Sequence, residues 1–107
     1  MNKERLKKLE STSHKILDII FEETSEIVDF LITITEIVIS PDLSYLDVWV
    51  SAFKNEDILA KTLAKKNWII QSRYNKAINI RKLPRIRYRY DNKKIQEVSV
   101  VINEITK

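Results

Sequence analysis

Residues 83–92 read Leu-Pro-Arg-Ile-Arg-Tyr-Arg-Tyr-Asp-Asn. A proline opens the stretch and an Asp-Asn pair closes it. Between them Arg85, Arg87 and Arg89 alternate with Ile86, Tyr88 and Tyr90. Alternate side chains of a strand point to opposite faces, so the stretch predicts a strand that packs Ile and Tyr inward. Three guanidinium groups then stand in a row on the open face. Such a row suits a surface that meets phosphate. The competing reading is a solvated edge whose charge discourages edge pairing.

Outward from this strand the charge is segregated. Residues 61–94 carry twelve Lys/Arg against Asp91 alone, while residues 16–60 carry ten Asp/Glu against Lys54 alone. The net charge of +4 conceals that division. A basic half beside an acidic half is the footprint of a protein that docks on nucleic acid with one side. Binding to a membrane surface would instead gather the cations on one amphipathic helix.

The inventory of reactive groups is short. The 107 residues include no glycine, no cysteine and one histidine, His14. Glycine-rich phosphate loops and dinucleotide fingerprints are therefore excluded, as are disulfides, thiolate metal sites and thiol catalysis. His14 reads as an exposed or half-exposed helix residue. Glu22, Glu23, Glu26 and Asp29 have no histidine beside them and read as solvated acids. No metal site, cofactor or catalytic set is expected. The most apolar stretch, residues 30–39, is interrupted by Thr33, Thr35 and Glu36, so no membrane span is expected. The length predicts one domain over residues 1–107, and the expectation is a soluble, cytoplasmic monomer.

Leu6, Leu9, Ile16, Leu17, Ile20 and Phe21 have the spacing of one buried helix face over residues 3–24. Acids at its end oppose the helix dipole, so that end either frays or is held by tertiary contacts. Residues 30–40 are strand-like. Ile32 and Ile34 share one parity, Ile37 and Ile39 the other, and a bulge near Thr35–Glu36 would reconcile them. Ser40-Pro41-Asp42 signals a turn, and residues 43–53 form the return strand with Leu46, Val48 and Val50 inward. Tyr45 and Trp49 fall on the other face, either covering the sheet or stacking on a partner. Asn55 suits an N-cap. The apolar face of the following helix shifts near Asn67, predicting a kink there, with Trp68 anchored in the core at the junction. After the arginine strand, Asp91 or Asn92 caps a last helix bearing Ile95, Val98, Ile102 and Ile105. The order is α-β-β-α-α-β-α.

This chain resembles the ribosome-binding factor A family. The residues that carry the likeness are Ile37-Val-Ile-Ser-Pro-Asp-Leu-Ser-Tyr-Leu-Asp-Val-Trp-Val50, Lys76-Ala-Ile-Asn-Ile-Arg81 and the 83–92 stretch. The resemblance implies an α+β, KH type II-like domain: a three-stranded sheet with helices packed on one face. It implies a non-catalytic factor that binds the immature small ribosomal subunit near the neck. Such a factor assists late folding and end-processing of the rRNA, and then leaves. Where family members carry an Ala-x-Gly kink, this chain has Lys66-Asn67-Trp68. Where they have a glycine before the Lys-x-Ile segment it has Asn75, and a usual serine is Lys93. A KH-type clamp on nucleotides needs small residues at that loop, which argues against a generic KH-like binder of single-stranded RNA.

The candidate RNA-binding residues are Lys65, Lys66, Arg73, Lys76, Arg81, Lys82, Arg85, Arg87 and Arg89. Lys65 and Lys66 are balanced between a solvated helix end and contact. The expected partners are the small ribosomal subunit and its rRNA, with ribosomal proteins as a second class. The rival hypothesis is a protein-interaction module whose acidic segment, residues 16–60, docks a basic ribosomal protein.

Overall fold

Asn2 opens helix α1 (Lys3–Glu23) by accepting the Arg5 amide on its side-chain oxygen at 2.9 Å, satisfying one of the free N–H groups of a first turn. The computed structural model describes residues 2–52 and 55–90. The expected last helix, with its Asp91 or Asn92 cap, lies outside those residues. The far end of α1 does not fray into solvent. The buried Thr24 hydroxyl donates to the Ile20 carbonyl at 2.7 Å, and a single turn, α2 (Ser25–Val28), follows and buries Ile27. Tertiary contacts hold the acid-rich end.

Strands β1 (Thr33–Ile39) and β2 (Tyr45–Ser51) pair antiparallel. Ile34 opposes Val50 and Glu36 opposes Trp49, so Thr35 is the extra residue of a bulge. That residue shifts parity, and Ile34, Ile37 and Ile39 are all buried on one side. In the connecting turn Asp42 accepts from the Ser40 hydroxyl at 2.9 Å and from the Ser44 amide and hydroxyl at 3.1 and 2.8 Å. These hydrogen bonds hold its carboxyl down at about 2, the Ser44 hydroxyl contributing most.

Helix α3 (Glu56–Ala77) is one unbroken helix of 22 residues. The kink expected near Asn67 is absent. The chain has neither glycine nor proline there to break the ladder. No shift of the apolar face is needed, because Leu59, Leu63, Ile70 and Tyr74 already make one buried stripe. Asn67 lies beside that stripe, and its side-chain oxygen accepts from the Tyr88 hydroxyl at 2.7 Å. Asn55 occupies the N-cap position but makes no side-chain cap bond. It sits instead in the left-handed region at φ 60°, which Asn tolerates better than most residues.

Strand β3 (Arg85–Tyr90) pairs parallel with β2, giving sheet order β1-β2-β3. The outer edge of β3 is stapled to α3 by Gln71. Its side-chain oxygen accepts the Ile86 amide at 2.9 Å, and its amino group donates to the Pro84 carbonyl at 3.1 Å. These contacts occupy backbone groups that a bare edge would offer to another strand. α1 and α3 share one face of the sheet. Their Leu9, Leu17, Ile20, Leu59, Leu63 and Ile70 join Leu46, Val48, Val50 and Ile86 in one core. Tyr88 and Tyr90 pack against it partly buried, as the alternation predicts. Inside the core the Ser13 and Tyr74 hydroxyls bond at 2.8 Å, so neither buried oxygen lacks a partner. Among the described residues this is the α+β, three-stranded sheet with helices on one face that the sequence predicts.

Candidate nucleic-acid interface

The parallel register of β2 and β3 builds the open face of the sheet. It sets Tyr45 beside Arg85, Asp47 beside Arg87 and Trp49 beside Arg89. All three arginines point away from the core, as the alternation requires, but they are not equivalent. Arg87 donates to Asp47 through Nε at 2.7 Å and through Nη2 at 3.1 Å. Its guanidinium lies over the Tyr45 ring, 4.0 Å from the centroid. The Asp47 hydrogen bonds raise its pKa further, against a smaller opposing effect of burial. Arg89 reaches the same carboxylate at 3.9 Å. Arg85 and Arg89 are exposed and Arg87 half-buried. The row of arginines therefore carries a carboxylate at its centre, which engages Arg87 closely and Arg89 more loosely.

Lys82 belongs to the same side. Its Nζ lies 3.4 Å from the Ser44 hydroxyl, at the end of the sheet where Arg85 donates its amide to the Ser44 carbonyl at 3.0 Å. Arg81 precedes it and is exposed. The helix residues lie elsewhere. Lys65, Arg73 and Lys76 are exposed on α3, whose buried stripe faces the sheet, so Lys65 looks away from the arginine strand. Lys66 is half-buried and pairs with Glu26 at 3.2 Å, an interaction that lowers the Glu26 pKa chiefly through the hydrogen bond. The fold thus divides the candidate residues between two surfaces. Lys82, Arg85, Arg87 and Arg89 lie on the sheet side, Lys65, Arg73 and Lys76 on the outer side of α3, and Lys66 is engaged by Glu26. Arg81 is exposed in the connection that precedes β3.

Two residues differ from their sequence reading. Trp68 is no core anchor: it is 71% exposed. In an unbroken helix it lies about half a turn from the Leu63 and Ile70 stripe, whereas the expected kink would have turned it inward. Asp47 shares parity with Tyr45 and Trp49, and nothing in the local pattern marks it as the partner of an arginine. Its meeting with Arg87 depends on the register between strands forty positions apart in sequence. Among the described residues no group of three His, Cys, Asp or Glu is placed to hold a metal ion. None of the described helices is long and apolar enough to cross a membrane.

No curated protein matches the chain. Among solved structures it is similar to a crystal structure of ribosome-binding factor A from Thermus thermophilus. The TM-score there is 0.74 with 24% identity, over 79% of this chain and 93% of that one. It is also similar to a homology model of the Thermus thermophilus factor as fitted into the cryo-EM map of a 30S complex. In that case the TM-score is 0.65 with 26% identity, over 78% of this chain and 93% of the other. The family model described as Ribosome-binding factor A matches residues 5–102. That match spans most of the sequence, and the overall fold is shared with the solved structures, so the chain belongs to the ribosome-binding factor A family.

Proposed function

We propose that this protein is a ribosome-binding factor for the small subunit. It binds the rRNA of the immature particle through its basic half, assists late maturation and end-processing, and performs no chemistry itself. Membership of the family supports the role, and the Thermus thermophilus relative fitted into a 30S complex supports the partner. The observation that carries the mode of binding is the exposure of the basic half. Lys65, Arg73, Lys76, Arg81, Lys82, Arg85 and Arg89 are all exposed, which suits contact with phosphates. Phosphate contacts position a protein without reading sequence, so recognition would rest on rRNA shape. On this reading the protein is a cytoplasmic, single-domain monomer that needs no cofactor.

The test is sedimentation of the tagged protein with ribosomal particles. Co-migration with immature small subunits and departure from mature ones is the expected result. Equal association with both, or with neither, contradicts the role. Association that survives nuclease treatment and is lost with Glu22→Gln, Glu23→Gln and Glu26→Gln would instead favour docking on a basic protein.

A further inference from the structure

Trp68 is a large apolar ring held in water. It is 71% exposed at the middle of α3, on the side of the helix away from Leu59, Leu63 and Ile70. There it contributes little to the core, and an isolated exposed indole invites nonspecific association. Its neighbours are cationic. Lys61 and Lys65 precede it by seven and three positions, and Ser72 and Lys76 follow by four and eight. Those spacings bring all five residues to one side of a helix. From residue 58 to residue 77 the helix carries five Lys/Arg and no Asp or Glu. This face is therefore a strip of positive charge with one aromatic platform near its centre.

A ring flanked by cations fits a nucleic-acid strand whose base is free to stack while its phosphates meet the charges. A duplex hides its base faces in the stack and offers phosphates and 2′-hydroxyls instead. Among the described residues the other exposed ring of the basic surfaces, Tyr45, already has the Arg87 guanidinium over it at 4.0 Å. Resting on the RNA-binding reading above, we propose that the outer face of α3 takes an unpaired base of looped or single-stranded RNA. Trp68 stacks on the base, and Lys61, Lys65 and Lys76 contact the flanking phosphates. The platform works through a side chain on a straight helix and not through close backbone approach.

Trp49 and Trp68 are the two tryptophans of the chain, so Trp49→Phe leaves emission from Trp68 alone, and all affinities are referred to that background. Titration with a single-stranded RNA oligonucleotide of mixed sequence should quench this emission, whereas a blunt RNA duplex of equal length should not. Trp68→Ala should weaken single-strand binding about tenfold, with the salt dependence and melting temperature unchanged, and Trp68→Phe should recover part of the loss. Lys61→Gln with Lys65→Gln should instead flatten the salt dependence. Wild-type affinity in Trp68→Ala, with reduced affinity in the lysine variant, overturns the stacking site and leaves RNA binding standing. If neither variant nor Arg85→Gln with Arg89→Gln changes RNA affinity, RNA binding through the basic half fails, and the stacking site with it. Loss of nuclease-resistant particle binding in Trp68→Ala, with RNA affinity intact, assigns the indole to a protein partner and also overturns the proposal.

Discussion

Asp47 and Arg87 face each other across the parallel strands with a two-point contact, Nε to Oδ1 at 2.7 Å and Nη2 to Oδ2 at 3.1 Å. The pair sits in the middle of the arginine row and withholds one of its charges. Asp47→Asn should release Arg87 and strengthen RNA binding. The slope of log affinity against log salt should steepen by up to roughly 0.7–0.9, the share of one added phosphate contact. Arg87→Gln should cost less affinity than Arg85→Gln. Because the pair is partly exposed and screened by water, its loss should lower stability only slightly. Filter binding at several salt concentrations and thermal melts check both statements.

The Tyr88 hydroxyl donates to Asn67 from β3 to the middle of α3 at 2.7 Å. Burial pushes the Tyr88 pKa well above its ordinary value, with the neighbouring Tyr90 adding to the shift, so the phenol stays a donor across the working range of pH. Tyr88→Phe leaves the Asn67 oxygen without its partner and should cost about 1 kcal/mol. A double-mutant cycle with Asn67→Ala should return a coupling of similar size. Strict additivity would show that the bond contributes nothing.

The hairpin turn makes a pH-dependent contribution. Hydrogen bonds from Ser44 and Ser40 lower the Asp42 pKa from 3.8 to about 2. A carboxylate with a depressed folded pKa binds protons more weakly than it does in the unfolded chain. Its contribution to stability is therefore full above pH 3.8 and lost as pH falls through about 2. Asp42→Asn should remove that portion of the acid limb and lower stability at neutral pH. The Asp42 carboxyl resonance should titrate near 2, and a midpoint at 3.8 would contradict the turn geometry.

A glycine-free chain must make its left-handed bends with other residues. Leu31 does so at φ 52° and Leu43 at φ 61°. Leu31 is 67% exposed, so Leu31→Gly gives up little burial while relieving a conformation that costs a non-glycine residue about 1 kcal/mol. Stability should rise by up to that amount in urea melts, with an unchanged dependence on denaturant.

What the sequence reveals and what it hides follow from the range of the interactions. The bulge at Thr35 is legible because the apolar parity of β1 changes within a few residues. The inward set of β2 and β3 is legible because a strand repeats every two. The kink at Asn67 is misread because an Asn and a Trp look like a break in a helical stripe. In the structure Asn67 meets Tyr88, and Trp68 stays in water. The neutralising role of Asp47 and the stapling by Gln71 depend on strand register and on contacts 15 to 40 positions apart, which local pattern does not encode. The candidate site was legible as a basic half, and its division between the sheet side and the α3 side was not. That division follows from the helices covering one face of the sheet.

The measurement closest to the central claim is the salt dependence of affinity for small-subunit precursor particles. A variant combining Lys65→Gln, Arg73→Gln, Lys76→Gln, Arg85→Gln and Arg89→Gln changes only exposed side chains and should fold like the wild type. If the basic half contacts phosphate, its affinity falls and its logarithmic slope flattens by roughly 0.7–0.9 for each contact removed. The matched variant with Glu22→Gln, Glu23→Gln and Glu26→Gln should then bind as well as the wild type or slightly better. Wild-type affinity and slope in the five-residue variant would contradict the account.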